Sequence, residues 1–390
     1  MRRSIPSPET VNPLPTTIHT FILRSVIPSL ETMQWHIFLG RPPLPAASPA
    51  AVSSLIQHPI LITGAGGSIG SALARRLASA GARIILLESS ENSLNDLQQD
   101  LAGGSANANF YLGGVSDRSL LDEIFSLHRP NLVFHAAAHK HVPLIEQQPL
   151  AAMANNIFAT ETLVASASAH NARIVLVSTD KAAAPAAMMG ATKRLAEQIV
   201  LTSGGTVLRL GNVLASRGSV TEVFARQIAS GLPLTVSDPA ARRYFLTIAE
   251  AVELLLVAAS EPQTHTLLVP LLPGPHFIAD LARFMARTLV PDRESAIEFT
   301  HLRPGDKESE QLWSESETPH PATAGSLVCL HSPLPPRSQL HSVLATLHRA
   351  VQSRDPSAAL ADLRVLVPDY TPSQTVLAHC STAASQVSDE

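Results

Sequence analysis

The sequence has few cysteines and no long apolar run, and each shortage excludes a class of protein. Two of its 390 residues are cysteines, Cys329 and Cys380, and their wide separation predicts neither a disulfide framework nor a metal cluster. We therefore expect a protein of the reducing cytoplasm. The apolar run from Phe21 to Ile27 is interrupted by Arg24 and is far shorter than the roughly 20 residues of a membrane helix. Neither a membrane span nor a signal peptide is expected.

An excess of positive charge is also absent. The 28 Lys and Arg residues face 32 Asp and Glu residues, giving a net charge of -4 and a pI near 6.5. Without a basic stripe, nucleic acid is excluded as an expected partner. Aromatic residues make up only 4% of the chain, whereas its 30 prolines gather between Pro6 and Pro49 and between Pro319 and Pro336. Those two stretches are predicted to be irregular linkers.

Short apolar runs alternate with helical patterns from Pro59 onward. Ile60 to Thr63 is followed by glycines, a helical pattern from Ala72 to Ala80 and a second apolar run, and such units continue to Leu210. The alternation predicts an α/β fold, a Rossmann-type doubly wound parallel sheet. The predicted division is a Pro-rich, partly irregular segment at 1–58, a nucleotide-binding core at 59–210, an interleaved substrate-binding region at 211–318, and a Pro-rich linker with terminal helices at 319–390.

Glycines at a regular spacing predict a dinucleotide site. Gly64, Gly67 and Gly70 follow a predicted strand and open a predicted helix, where small residues let backbone N–H groups approach a pyrophosphate. Glu88 ends the next predicted strand, where a carboxylate binds the adenosine ribose and repels a 2′-phosphate. This favours NAD over NADP. The alternatives are a glycine turn that only packs strand against helix and a solvated charge at a strand end.

An acid and a base stand side by side at the end of the fifth predicted strand. Asp180 and Lys181 follow Thr179 there, at the sheet edge where this fold places its substrate. Short-chain dehydrogenases normally use a Tyr-x-x-x-Lys pair downstream, but here Met189 stands at the tyrosine position and Lys193 at the lysine position. Either the site is inactive or neighbouring residues replace the tyrosine.

The motifs together resemble the polysaccharide-biosynthesis UDP-N-acetylglucosamine 4,6-dehydratases, which are extended short-chain dehydrogenases. The similarity runs roughly from Phe38 to Tyr370. In that family the membrane-attached branch typically has methionine where this chain has Met189, so the chain resembles the soluble part of that branch. The motifs that carry the resemblance are Thr63 to Gly70, His135 to Pro143, Ser178 to Ala182, Met189 to Arg194, Gly211 to Leu214, Ser216 to Val220, Arg243 to Phe245, and Leu302 to Lys307.

The resemblance implies a reaction in which NAD takes hydride from carbon 4 of a hexose and returns it to carbon 6. It assigns Asp180 as the acid at carbon 6 and Lys181 as the base at carbon 5, with Thr179 at the carbon 4 oxygen. Asp180 must then hold a proton near neutrality and Lys181 must lose one. We expect burial to raise the pKa of Asp180 and to lower that of Lys181. Without a tyrosine, the carbon 4 proton leaves through Thr179, Asp180 or a water molecule.

The resemblance also implies the ligand contacts. Lys193 would hold the nicotinamide ribose, and Asn156 would be the structural and proton-relay asparagine of the superfamily. The remaining cofactor contacts would come from Ser68, Ile69, Ala136, Ala137 and Ala138. The UDP contacts would come from Asn212, Arg217, Arg243 and Arg303. Lys140, assigned to the substrate site, would contact the substrate or the cofactor, and it is equally well explained as a solvated loop lysine.

Other features leave alternatives open. His135 and His139 are four residues apart at a predicted strand end, so no metal site is expected. Ala184 and Ala187 replace family asparagines beside the substrate ring and could alter sugar specificity. A 4-epimerase or dehydrogenase would not need the acid Asp180, and a catalytically inactive NAD-binding module would explain the missing tyrosine. By resemblance a homo-oligomer is expected.

Overall fold

The fold is taken from a computed structural model that describes residues 30, 32–103, 107–261 and 265–387, with side chains to 381. The predictions for the run from Phe21 to Ile27 and for the first proline-rich residues lie outside the described part. Among the described residues, no helix is both long and apolar enough to cross a membrane.

Strands and helices alternate through the first half of the chain, as the apolar pattern predicts. The strands are β1 Ile60–Thr63, β2 Ile84–Glu88, β3 Ala108–Leu112, β4 Leu132–His135, β5 Arg173–Thr179, β6 Thr206–Leu210, β7 Asn212–Val213, β8 Leu234–Val236, β9 Arg242–Arg243, β10 Phe245–Leu246, β11 Thr266–Pro270, β12 His276–Phe277, β13 Ile297–Phe299, β14 Thr318–Pro321 and β15 Leu327–His331. The α-helices are α1 Trp35–Leu39, α2 Pro49–Leu55, α3 Ser68–Ser79, α4 Glu91–Leu101, α5 Arg118–His128, α6 Val142–Gln147, α7 Pro149–Met153, α8 Ala159–Ala169, α9 Met188–Thr202, α10 Val220–Ala229, α11 Ile248–Ser260, α12 Ile278–Leu289, α13 Arg337–Gln352, α14 Pro356–Leu366 and α15 Gln374–Val387.

The main sheet confirms the predicted doubly wound fold. Its order is β14-β15-β11-β6-β5-β4-β1-β2-β3, and every pair from β3 to β11 is parallel. The chain moves outward from β1 to β3 and then returns to the other side of β1 with β4. Loops after β1 and β4 diverge at this point, and in such sheets the crevice between them is where ligands bind.

Both faces of the sheet are buried. Along β1, Ile60 and Ile62 belong to one apolar cluster, whereas Leu61 belongs to the cluster on the opposite face. Along β2, Ile84 and Ile85 divide between the two clusters in the same way. Helices therefore cover both faces, which leaves the strand ends as the open edge of the sheet.

A smaller region follows β6 and is held together by short two-stranded pairings. Strand β7 pairs with β10, β9 with β12, and β8 with β13. Its own apolar cluster contains Phe224, Phe245 and Met285, and it also includes Trp35 and Leu39 from the segment predicted as partly irregular. Because β11 and β15 return to the main sheet, this region is interleaved with the core.

The stretch between Pro319 and Pro336, predicted to be an irregular linker, contains two strands. Strands β14 and β15 form there and add an antiparallel pair to the edge of the main sheet. Pro319 and Pro321 lie in the outermost strand β14, where a residue without an N–H group is tolerated because one side of the strand has no partner. Proline density therefore marked a sheet edge rather than a linker.

Candidate active site

The glycine-rich loop joins β1 to α3 and is packed too tightly for side chains. A Cβ atom on Gly64 would lie 2.6 Å from the backbone nitrogen of Ala137, and one on Gly70 would lie 2.1 Å from the carbonyl oxygen of Gly64. Gly67 precedes the helix, which begins with Ser68 and Ile69, and supplies no side chain to cap their N–H groups. A helix N-terminus with free N–H groups beside a close backbone is suited to a phosphate anion.

Glu88 closes one side of this loop. Its carboxylate accepts hydrogen bonds from the backbone nitrogens of Gly66 and Ser90, both at 2.9 Å. The neighbouring segment Ala136 to Ala138 lies on the other side, where Ala136 donates to the carbonyl of Thr63. The structure thus brings together the residues predicted to surround a cofactor.

The predicted catalytic residues meet at the carboxyl end of β5. Thr179 donates to Asp180 Oδ1 at 2.9 Å, and Lys181 Nζ donates to the same oxygen at 3.0 Å. Lys181 Nζ also donates to Asn212 Oδ1 at 2.9 Å. Asp180 is fully buried, and its Oδ2 atom has no hydrogen-bond partner among the described residues. An acid, a base and a hydroxyl therefore share one small volume.

Sequence reasoning missed Glu310, which faces this group from the opposite side. Its buried carboxylate lies 3.7 Å from Lys181 Nζ, 3.9 Å from Arg243 Nε and 3.5 Å from Lys307 Nζ. An isolated bridge between Arg242 and the residue preceding Glu310 fixes this segment. The sequence signal for Glu310 was its position shortly after the Arg-Pro-Gly motif. Its partners Lys181 and Arg243, however, are distant in the sequence.

The pKa of Asp180 changes in the expected direction, but that of Lys181 does not. Burial raises the pKa of Asp180, Lys181 opposes the change and Glu310 adds to it. Burial alone would lower the pKa of Lys181, but the carboxylates of Asp180 and Glu310 outweigh it and raise this pKa above its ordinary value. The prediction of a depressed pKa for Lys181 is therefore wrong, because it counted burial without the second carboxylate.

Helix α9 carries the two residues at the Tyr-x-x-x-Lys positions. Met189 is buried in an apolar cluster that also contains Leu363 and Tyr370 from the C-terminal part of the chain. Lys193 is buried as well, and this burial lowers its pKa to about 8, although Glu197 opposes the change. Met189 has no group that can exchange a proton, so proton transfer in this site must use other residues.

Asn156 has a structural role. It lies in a π-helical turn, Ala154–Phe158, and donates to the carbonyl of His139 and to Thr192 Oγ1, both at 3.1 Å. Its own side-chain oxygen accepts the backbone N–H of His139 at 2.8 Å. These bonds join the loop after β4 to helix α9, and π-helical turns are frequent near functional sites.

A buried ionic network connects β5 with α9. Arg209 Nη2 donates to Glu197 Oε2 at 2.7 Å, and Arg209 Nη1 donates to Glu317 Oε2 at 2.7 Å. Arg194 pairs with Glu317, and Ser178 donates to Glu197 Oε1 at 2.6 Å. Two arginines balance two glutamates, so the network fixes positions without adding net charge next to the site. Sequence patterns did not reveal it.

His135 is buried at the end of β4, and both of its ring nitrogens lie within hydrogen-bond distance of threonine hydroxyls. His135 Nδ1 lies 2.7 Å from Thr63 Oγ1, and its Nε2 lies 2.9 Å from Thr160 Oγ1. Burial lowers the pKa of His135 to about 3, and Lys193 contributes to this. Within the described ranges, no group of three or more metal-binding side chains comes together.

The four residues expected to contact UDP separate into three places. Asn212 and Arg243 lie with the predicted catalytic residues, since Asn212 accepts from Lys181 and Arg243 lies 3.9 Å from Glu310. Arg303 is exposed and pairs with Asp306 at 3.1 Å. Arg217 lies instead against the glycine-rich loop, where Lys140 contacts it. Only the first place is in direct contact with the catalytic group.

Sequence comparison identifies relatives in surface-polysaccharide synthesis. A family described as "Polysaccharide biosynthesis protein" matches residues 60–331. The probable polysaccharide biosynthesis protein EpsC of Bacillus subtilis is 38% identical over 291 residues, covering 72% of this chain and 49% of EpsC. The capsular polysaccharide biosynthesis protein CapD of Staphylococcus aureus is 38% identical over 306 residues, covering 75% and 51%. The chain spans about half the length of these two relatives.

Other similar proteins include enzymes named for reactions on nucleotide sugars. A UDP-glucose 4-epimerase of Rickettsia rickettsii is 32% identical over 279 residues, covering 67% of this chain and 79% of its own. Among solved structures, Pen from Bacillus thuringiensis has a TM-score of 0.67 at 26% identity, covering 72% of this chain and 89% of Pen. The dTDP-glucose 4,6-dehydratase DesIV of Streptomyces venezuelae, solved with NAD, has a TM-score of 0.59 at 18% identity, covering 65% and 87%, and it shows the shared fold.

Proposed function

Because the chain belongs to the polysaccharide biosynthesis protein family, we propose that it is an NAD-dependent nucleotide-sugar 4,6-dehydratase. Its substrate would be UDP-N-acetylglucosamine and its product the UDP-4-keto-6-deoxy sugar, used for surface polysaccharide. The observation that carries this proposal is the contact of Thr179 and Lys181 with the buried carboxylate of Asp180. A dehydratase needs an acid and a base at neighbouring carbons of one sugar, and this group supplies both.

The glycine-rich loop supports NAD as the cofactor. A Cβ on Gly70 would lie 2.1 Å from a backbone oxygen of the loop, so the loop backbone packs directly against α3. This close packing leaves the loop open to a diphosphate. Glu88 lies beside this loop and favours a ribose with a free 2′-hydroxyl. When bound there, NAD would supply a hydride acceptor for carbon 4 and a hydride donor for carbon 6.

The hydrogen bonds suggest a path for the carbon 4 proton without tyrosine. Thr179 Oγ1 would accept this proton while passing its own to Asp180 Oδ1 at 2.9 Å. Asp180 then holds the proton that it later gives to the carbon 6 hydroxyl, which leaves as water. Lys181 would remove the carbon 5 proton and later give carbon 5 a proton from the same amine, whose hydrogens exchange with solvent. On this path Asp180 begins ionised, and its raised pKa, caused by burial, helps it to accept and hold the proton.

The remaining residues would bind and orient the two ligands. Lys193 would hold the nicotinamide ribose, and its lowered pKa of about 8 would rise again beside an anionic oxygen. Arg243, which lies 3.9 Å from Glu310, and Arg303 would bind the diphosphate of UDP, since a guanidinium group can contact two phosphate oxygens at once.

One incubation tests the proposal: the purified protein with UDP-N-acetylglucosamine in heavy water, followed by mass spectrometry. A dehydratase gives a product that has lost one water and gained deuterium at carbon 5. K181A should abolish turnover and leave NAD binding intact, and a loss of both would show a structural role for Lys181.

The second candidate is a 4-epimerase, favoured by the 32% identical UDP-glucose 4-epimerase. It would keep hydride transfer at carbon 4 but would need no acid at carbon 6, so the buried Asp180 argues against it. An isomerised sugar without water loss would establish this alternative and refute the dehydratase. An unchanged sugar together with bound NAD would instead indicate a binding module.

A further inference from the structure

Residues 215–219 cross the glycine-rich loop from the substrate-binding side. The backbone nitrogen of Arg217 donates to Ser68 Oγ at 2.9 Å, at the first residue of α3. Its Nη1 atom donates to the carbonyl of Gly66 at 3.3 Å and lies 3.4 Å from Ser93 Oγ, near the start of α4. Every hydrogen bond that Arg217 donates thus reaches the predicted cofactor side.

Lys140 ties this crossing segment to the loop after β4. Its Nζ atom donates to the carbonyl of Arg217 at 2.6 Å. Gly218 allows the approach, because its backbone has φ +69° and a Cβ there would lie 2.3 Å from the ring of His141. The crossing segment is therefore fixed from both sides, and it brings two cations to the mouth of the loop.

The charge of Arg217 has no carboxylate partner in the described part of the chain. No ion pair among the described residues includes Arg217. Glu88 lies nearby, but it accepts a hydrogen bond from the backbone nitrogen of Gly66, the residue whose carbonyl Arg217 contacts. An unpaired guanidinium next to a helix N-terminus attracts an anion, and its planar fork matches a diphosphate. By contrast, Arg243 is buried beside Glu310 in the catalytic group.

We propose that Arg217 binds the diphosphate of the dinucleotide cofactor rather than that of the sugar nucleotide, and that with Lys140 it slows release of the cofactor. This inference rests on the NAD site of the proposed function. It suits a reaction that returns its hydride within each cycle, because such a cofactor does not need to leave between turnovers. It also reassigns Arg217 from the role that family resemblance implied.

The test compares wild type, R217Q and the control R226Q, which removes an exposed arginine on α10. Binding of NAD and of UDP is measured separately by calorimetry, and NAD release is measured by stopped-flow fluorescence. We expect R217Q to weaken NAD binding about tenfold to a hundredfold, mainly through faster release, with UDP affinity changed less than about threefold. R226Q should match wild type in both, and R217K should restore part of the NAD affinity.

Several results would overturn the inference. Weaker UDP binding with unchanged NAD binding would return Arg217 to the substrate, and no change in either would leave it a packing residue. Equal losses in both, with an unchanged circular dichroism spectrum, would also refute selectivity. Wild-type protein that binds no NAD would refute the cofactor and this inference together. Wild type that binds NAD but removes no water would refute the dehydratase alone, because the binding measurements do not depend on turnover.

Discussion

Replacing Glu310 by glutamine should lower the pKa of Lys181 and increase the proposed activity at neutral pH. Burial acts to lower this pKa, but Asp180 and Glu310 together raise it above the ordinary value for lysine. Glu310 lies 3.7 Å from Lys181 Nζ, and E310Q removes its charge while keeping the size of the side chain. A base must be neutral to accept a proton, so a lower pKa gives more active enzyme at pH 7.

The size of the shift follows from the distances. Two unit charges about 4 Å apart interact by about 4 kcal/mol at an effective dielectric constant of about 20, which corresponds to roughly three pKa units. The side chain of Lys181 is 21% exposed, so solvent screens part of this interaction. We therefore expect a net decrease of about one unit, or about ten times more neutral amine at pH 7.

The assay is the pH dependence of kcat for water loss from UDP-N-acetylglucosamine. In wild type the rate should rise with pH toward the pKa of Lys181, and in E310Q this rise should move about one unit lower. E308Q is the matched control, because Glu308 is exposed in the same segment. A ¹⁵N NMR titration of the Lys181 amine checks the shift independently of turnover. A titration that stays in place or moves to higher pH would refute the reasoning.

Three further predictions concern binding and stability. G70A should abolish NAD binding because its Cβ would meet a backbone oxygen at 2.1 Å, whereas G274A, with no atom within 4 Å, should bind as wild type in calorimetry. E197A should lower the free energy of unfolding by about 3–5 kcal/mol in urea, because it leaves the buried Arg209 without one of its two carboxylates. The pKa of His135, lowered to about 3 by burial, means that the unfolded chain binds a proton between about pH 6.5 and 3 that the folded chain does not. The free energy of unfolding should therefore decrease as the pH is lowered through that window, by up to about 1.4 kcal/mol per pH unit. H135Q should remove this slope in urea titrations at several pH values.

The sequence was sufficient to predict the parts of the molecule that depend on local pattern. The runs of β1 and β2, the glycines between β1 and α3, and the position of Asp180 and Lys181 at a strand end all follow from residues close in the chain. The parallel sheet follows because a helix separates each pair of strands. These are the features for which neighbours in sequence are also neighbours in space.

Contacts between distant segments could not be predicted in the same way. Glu310 meets Lys181 from 129 positions away, and Arg209 meets Glu317 across 108, so no local pattern reports either pair. The same limit explains the error in the pKa of Lys181. Its burial at a strand end was foreseeable, whereas the second carboxylate beside it required the folded chain.

The raised pKa of Lys181 is compatible with its proposed role because the two proton transfers are coupled. Part of the increase comes from the ionised carboxylate of Asp180, whose Oδ1 accepts both the Lys181 amine at 3.0 Å and the Thr179 hydroxyl at 2.9 Å. On the proposed path, oxidation at carbon 4 delivers a proton through Thr179 to this same oxygen and cancels its charge. The pKa of Lys181, whose side chain is 21% exposed, then falls, and the amine can release its proton. Lys181 would thus become a base at the step in which carbon 5 becomes acidic.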